Sequence, residues 1–165
     1  MSTTWLVAAG LIAALAAIVA VLALRKARRR RALARTAHEL GLRFSEGDPL
    51  GLSRDLGAEV SETIWGRFEG ADVAIATASR AVHRSDSETW ETGPIGVSLK
   101  IKVVRGLEVA QQAAGPATQV AMTHDGRLAV KPRIPRQRSA PTVLDPDKLP
   151  DLLQATARAA RSQYW

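Results

Sequence analysis

The feature that most constrains this chain is an uncharged run followed at once by a cluster of cations. Residues 5–24 contain only Ala, Leu, Val, Ile, Trp and Gly. A helix of this length rises about 30 Å, which matches the hydrocarbon thickness of a bilayer. The run therefore predicts a single transmembrane helix, preceded by a short N-terminus at residues 1–4.

The stretch "LALRKARRRRALAR" at residues 22–35 places the cations directly after the span, with no acidic residue before Glu39. Cytoplasmic segments beside a span are enriched in Lys and Arg. This rule predicts a single-pass protein of the cell membrane, with the N-terminus outside and the C-terminal domain cytoplasmic. We expect the cluster to contact the membrane surface, where each cation contributes about 1 kcal/mol; it comprises Arg25, Lys26, Arg28, Arg29, Arg30, Arg31 and Arg35.

A cleaved signal peptide is the alternative to an anchor, since residues 21–23 (Val-Leu-Ala) resemble a cleavage site. However, the leading "MSTT" carries no cation, and the charges follow the apolar run, which is the reverse of a secretory signal. The order of charge and apolar residues therefore favours the anchor. Within the span, Gly10 and Ala14 have the spacing that allows two helices to approach closely. That spacing indicates either a homodimer formed through the span or only the high Ala content of the span, without helix association.

The distribution of charge also limits the partners. The chain has 23 basic and 16 acidic residues, and its formal net charge of +7 equals the seven cations of the cluster. A basic chain often binds nucleic acid through phosphates, but no aromatic residue interleaves this cluster to stack on bases. We therefore expect the lipid bilayer as a partner and no nucleic acid.

The pattern after the span predicts an α+β fold. Helix formers continue to Gly41, which indicates one helix from about residue 4 to 40, with residues 25–41 as a basic juxtamembrane helix. Alternation and turn residues then predict a hairpin at 63–82 folded at 69–72, a polar loop at 83–94, a strand near 95–103, and a hairpin at 119–131 turning at Asp125-Gly126. A linker at 132–146 leads to a C-terminal helix at 147–163 capped by Asp147.

We predict that residues 42–165 form one cytoplasmic domain, an antiparallel sheet of five or six strands with the C-terminal helix packed on one face. The alternation of apolar residues suggests which surfaces meet. The strand near 95–103 is predicted to be half-buried, with one apolar face and one face exposed to solvent. Its apolar face should pack against the C-terminal helix. The residues expected to meet are Leu149, Leu152, Leu153 and Tyr164 of the helix and Val97, Leu99, Ile101 and Val103 of the strand.

No catalytic constellation is visible in the sequence. The chain has no cysteine, which excludes disulfides, a thiol nucleophile and Cys-ligated zinc. It has neither an H-E-x-x-H pattern nor a P-loop. We therefore expect no enzymatic activity, no metal, no cofactor and no small-molecule substrate. Three aromatic residues form the candidate interaction surface, namely Trp65, Phe68 and Trp90; the odd spacing of Trp65 and Phe68 predicts opposite faces of the sheet, with burial in the core favoured over exposure.

The N-terminal span, the Arg-rich helix ending in "HELGLRF", the "DPLGL" loop and the "WGRFEGADVAI" hairpin together resemble small, uncharacterised single-span membrane proteins of high-GC actinobacteria. The resemblance covers roughly residues 1–80. It implies the anchor and a β-rich cytoplasmic domain, and it transfers no activity and no site residue.

These observations lead to three hypotheses of different classes. The first is a membrane-anchored cytoplasmic interaction module that holds a protein partner, or a second copy of itself, at the inner membrane face. The alternative is an anionic-lipid surface sensor with a pleckstrin-homology-like arrangement, an analogy of fold alone. The second alternative is an enzyme whose site the sequence does not reveal, which a deep pocket with convergent polar groups would indicate.

Overall fold

The structure is a computed structural model that describes residues 3–84, 87–133 and 144–164. Its first element, α1 (Thr3–Glu39), is a single helix of 37 residues, which confirms the predicted continuous helix. The helix ends because Gly41 adopts a left-handed conformation (φ 72°). The amide of Leu42 then donates to the carbonyl of Ala37 at 2.8 Å and closes the last turn.

Six antiparallel strands form one sheet in the order β1-β2-β3-β4-β6-β5, which confirms the α+β class. The strands are β1 (Arg43–Glu46), β2 (Glu59–Phe68), β3 (Ala71–Arg84), β4 (Ser87–Lys102), β5 (Thr118–Met122) and β6 (Arg127–Pro132). Three further helices complete the fold: α2 (Leu52–Leu56), α3 (Leu107–Ala114) and α4 (Leu149–Arg161).

Both predicted hairpins are present. β2 and β3 turn through Glu69 and Gly70, both with positive φ, as a two-residue hairpin requires. β5 and β6 pair across the turn that holds Asp125 and Gly126. The prediction of a polar loop at 83–94 is wrong. The strands β3 and β4 extend through these residues and pair with each other as far as Arg84 and Ser87. Thr89, Trp90 and Thr92 favour a strand, and the polar residues around them concealed this signal.

One face of the sheet is covered by α4, which begins after a single 3₁₀ turn at Pro146–Lys148. Leu149, Leu152 and Leu153 are buried there, as predicted. The prediction for Tyr164 is wrong, since its side chain is 64% exposed. The predicted Asp147 cap is also corrected: the Asp145 carboxylate accepts from the Asp147 amide and caps the 3₁₀ turn, and Lys148 precedes α4 without a side-chain cap.

The opposite face of the sheet is covered as well, which corrects the expectation of a wet face. Val97 and Leu99 belong there to a core cluster with Leu52 of α2, and no residue of α4 is a member of that cluster. Of the four strand residues predicted to face the C-terminal helix, only Ile101 and Val103 lie on the α4 side. The register shifts between Val97 and Lys102, and this bulge reverses the alternation of side chains within one strand.

The end of α1 belongs to the same core as α4. Leu33 and Ala37 are fully buried among the residues of that core, and Leu144 is buried at the end of the predicted linker. The core therefore begins well before the predicted domain boundary at residue 42. The central part of the predicted linker, residues 134–143, lies outside the described residues.

Candidate functional site

The candidate site lies where α1 passes the sheet. Arg30 of α1 bonds to Glu62 near the start of β2, and Leu42, just after the helix, lies against Gly66 farther along β2. Helix and strand therefore run in the same direction. We call the end of the sheet that carries Glu46 and Glu62 its near end, since it faces the apolar part of α1, and the end that carries Phe68 and Lys102 its far end.

Two cations of the basic cluster are partly buried and bind to the sheet at the near end. Arg29 Nη2 lies 2.5 Å from Glu62 Oε1, and Arg30 Nε lies 3.1 Å from the same oxygen. Glu62 is only 2% exposed, and Thr77 donates a hydrogen bond to its other oxygen. A buried carboxylate needs such partners, because its desolvation is costly without them. Arg29 and Arg30 therefore fasten α1 to the sheet.

The same two arginines reach further partners. Arg29 Nη1 donates to the carbonyl of Leu144 at 3.1 Å, which joins α1 to the segment before α4. Arg30 Nη1 lies 2.6 Å from Glu46 Oε2 at the end of β1. Three separated parts of the chain thus meet on one turn of α1. We call this set of contacts the helix clamp (Arg29, Arg30, Glu46, Glu62 and the Leu144 carbonyl).

A groove lies beside the helix clamp. Its volume is about 320 Å³, and it is lined by Ala23, Lys26, Ala27, Arg30, Arg31 and Glu46. Ala23 and Ala27 lie one helical turn apart on α1, and their small side chains leave space for the groove along the helix. Of its three cations, Arg30 is paired with Glu46 and Glu62, so, within the described part of the chain, the unpaired positive charge of the groove comes from Lys26 and Arg31. We call this feature the basic groove.

The other predicted membrane-contact residues remain on the surface. Arg25, Lys26, Arg28, Arg31 and Arg35 are exposed, and none of them forms an ion pair with another residue of the described part of the chain. The sequence thus identified a set of seven cations, and the structure divides it into two that hold the fold and five that face outward.

The aromatic candidates do not form a common surface. Trp65 is half-buried against the core on the α2 side, and Phe68 packs on the core of the α4 side. Their placement on opposite faces was predicted correctly. Trp90 lies opposite Ala81 in the β3–β4 register.

Sequence reasoning missed an apolar patch at the far end of the sheet. Val104 is 77% exposed, and two further apolar residues near it in the fold are exposed: Leu107, three residues later, and Tyr164, which follows the Gln163 that bonds the Val104 amide. The Gln163 side chain accepts hydrogen bonds from the amides of Val104 and Arg105, both at 2.9 Å, which fixes the end of α4 to the loop after β4. No local sequence pattern predicts this patch, because it depends on a contact between the end of α4 and the loop after β4, which are far apart in sequence.

A second group of charged residues lies on the α2 side of the sheet. Burial, together with a hydrogen bond shared with Asp125, raises the pKa of Asp55, and the neighbouring Arg127 opposes this shift. Arg127 Nη1 lies 3.1 Å from Asp55 Oδ2. These contacts tie α2 to the β5–β6 turn. Within residues 3–84, 87–133 and 144–164, no three His, Asp or Glu side chains lie close enough together to hold a metal ion.

Comparison with protein-family models, with curated proteins and with solved structures finds no match to this chain. By length and composition, α1 is able to cross a membrane, with a mean hydropathy of 2.0 in its most apolar window. It is the one such helix within the described residues.

Proposed function

We propose that this chain is a non-enzymatic, single-pass membrane protein that holds a protein partner at the cytoplasmic face of the membrane. The observation that carries the proposal is the continuity of α1, which runs without a break from the apolar segment into the core at Leu33 and Ala37. A flexible tether would only keep a domain near the membrane. A continuous helix fixed by the helix clamp also sets the domain's height and orientation, which is useful when a partner must meet one particular surface.

The proposed orientation places the N-terminus outside and the sheet in the cytoplasm. It is supported by the position of the cations, since all seven follow the span within eleven residues and no basic residue precedes it. Carboxylates neutralise the two arginines of the helix clamp. The five exposed cations are therefore the ones that we propose keep this end of the span in the cytoplasm.

The partner surface that we propose is the patch at the far end, formed by Val104, Leu107 and Tyr164. Exposed apolar residues grouped together are typical of protein contact sites. The patch lies at the end of the sheet away from the span, where a cytoplasmic protein has free access. Gln163 holds the backbone of Val104 and Arg105, and an ion pair of 2.7 Å between Arg161 and Glu69 joins the end of α4 to the β2–β3 turn.

Two measurements test the proposal in cells that produce the full-length chain. A reporter active only in the cytoplasm, fused after residue 165, should be active; activity of a reporter restricted to the extracytoplasmic side would contradict the orientation. A photocrosslinking amino acid at Val104 or Tyr164 should give an adduct with the same protein from both positions. The matched control is an exposed position on another strand, Lys131, which should give none. The same adduct from Lys131 would place the contact elsewhere.

A further inference from the structure

We propose that the basic groove binds the phosphate headgroup of an anionic phospholipid from the leaflet that surrounds the end of the span. This inference rests on the proposed membrane anchoring and adds a ligand to it. The groove holds Lys26, Arg30, Arg31 and Glu46 around a floor of Ala23 and Ala27.

The position of the groove favours a lipid over a soluble anion. Ala23 lies within the uncharged run, whereas Lys26 and Arg31 follow it by a few residues. The groove therefore starts at the depth of acyl chains and ends among cations, which is the order of groups along a phospholipid. Its volume of about 320 Å³ lies at the lower end of the range of small-molecule sites, roughly 300–1,000 Å³, and suits a headgroup.

The cations of the groove have different roles. Arg30 is already engaged by Glu62 at 3.1 Å and by Glu46 at 2.6 Å, so its guanidinium is a fixed wall. Lys26 and Arg31 are exposed and form no ion pair with a described residue. They supply the donors for a phosphate. Glu46, the one carboxylate of the groove, is paired with Arg30 at 2.6 Å and limits how much negative charge the groove accepts.

Fixation by the helix clamp distinguishes this groove from a diffuse basic surface. A diffuse surface attracts anionic lipid according to its total charge alone. Here the sheet edge at Glu46 stands at a fixed distance from the helix, because Arg29 and Arg30 are both bound to Glu62. The two groove donors should therefore matter more than other cations of the same cluster at a similar depth.

The chain provides a matched pair of variants for this test. Lys26→Gln with Arg31→Gln removes the groove donors, and Arg25→Gln with Arg28→Gln removes two cations that are exposed and do not line the groove. Both double variants lower the net charge by the same amount. The full-length chain is reconstituted in vesicles of mixed phosphatidylglycerol and phosphatidylcholine, and phosphatidylglycerol that stays bound after detergent extraction is measured by native mass spectrometry.

We expect the control variant to lose phosphatidylglycerol by at most the roughly thirtyfold in affinity that the loss of two surface cations predicts, and the groove variant to lose severalfold more. Equal losses in the two variants would overturn the proposal in favour of diffuse attraction. Inorganic phosphate is added as a separate arm. Displacement of the bound lipid by free phosphate would assign the groove to soluble anions and would also overturn the lipid assignment.

Protease accessibility of the C-terminal domain is measured in cells for each variant, together with extraction of the membranes at alkaline pH. A chain released by alkali, or a domain exposed on the outer side, would contradict the proposed function. Selective loss of lipid in the groove variant would still support the groove in that case. Failure of the groove proposal therefore appears as equal lipid loss in the two variants, whereas failure of the anchoring proposal appears as release by alkali or exposure on the outer side.

Discussion

At the scale of single residues, Glu62 is the position on which most contacts converge. It receives Arg29, Arg30 and Thr77 while being almost fully buried. Replacement by Gln leaves Arg29 without its charged partner and leaves Arg30 with Glu46 alone. We predict that Glu62→Gln lowers the free energy of unfolding by about 2 kcal/mol, less than the roughly 3–5 kcal/mol of a fully buried pair because both arginines keep some solvent access.

The change is measured by denaturant unfolding of the full-length chain in detergent, followed by tryptophan fluorescence. Glu59→Gln is the control, since Glu59 is exposed on the same strand and its replacement should change stability by less than about 0.5 kcal/mol. Similar losses in both variants would mean that the helix clamp does not stabilise the junction.

Asp48 gives a prediction with a defined dependence on pH. Its two oxygens accept hydrogen bonds from the amides of Leu52 and Ser53, both at 2.7 Å. Burial alone would raise the pKa of Asp48, but hydrogen bonds from Ser53 and Leu52 outweigh it and lower the pKa below its usual 3.8. A lowered pKa contributes stability that is present above the pKa of the unfolded chain and is lost as the pH falls through the folded pKa.

We therefore predict that Asp48→Ala costs about 1 kcal/mol at neutral pH, as the loss of a cap does. The difference between the two proteins should narrow as the pH falls below about 3.8. Unfolding curves at a series of pH values measure it. A difference that stays constant from neutral pH into acid would show that the carboxylate charge is not what holds α2.

At the scale of elements, the contact between α4 and β4 depends on one missing side chain. A Cβ added at Gly96 would lie 2.0 Å from Oγ1 of Thr156 and 3.1 Å from its Cβ. We predict that Gly96→Ala lowers the free energy of unfolding by about 1–3 kcal/mol, the usual cost of overpacking. Adding Thr156→Ala removes the nearest atom and should recover most of the loss, whereas Thr156→Ala alone should cost little. No recovery in the double variant would mean that α4 does not pack on β4 at this point.

Elements with local signals were predictable from the sequence. The uncharged run with its cations, Gly41 at the helix end and Asp125-Gly126 at a turn each act over a few residues. The bulge in β4 was not predictable in this way. The Ser98 hydroxyl donates to the Ile101 carbonyl at 2.7 Å across this bulge. As a result of the bulge, Val97 and Leu99 lie on the opposite face from Ile101 and Val103.

The two short helices were missed for a similar reason. α2 depends on the Asp48 carboxylate, and α3 covers the edge strand β5 through Gln111, whose side chain bonds the amide of Val120 and the carbonyl of Thr118. Within the candidate site, the sequence identified the cations but not their partners. Glu62 lies 33 residues from Arg29, and only the folded chain brings them together.

At the scale of the whole molecule, the proposed function requires α1 to be one rigid connection. The helix enters the core at Leu33 and Ala37, the helix clamp ties it to β1, β2 and the segment before α4, and the basic groove lies beside this junction. The proposed partner surface at the far end then takes a fixed orientation relative to the bilayer. A loose junction would remove the reason for this arrangement.

The distance between the span and the sheet tests this claim most directly. The chain has no cysteine, so spin labels placed at Val21→Cys and Arg67→Cys report only on that pair. Double electron–electron resonance in lipid nanodiscs should give one narrow distance distribution, and a Gly-Ser insertion between Leu24 and Arg25 should broaden it. A broad distribution in the chain without the insertion would contradict the rigid connection.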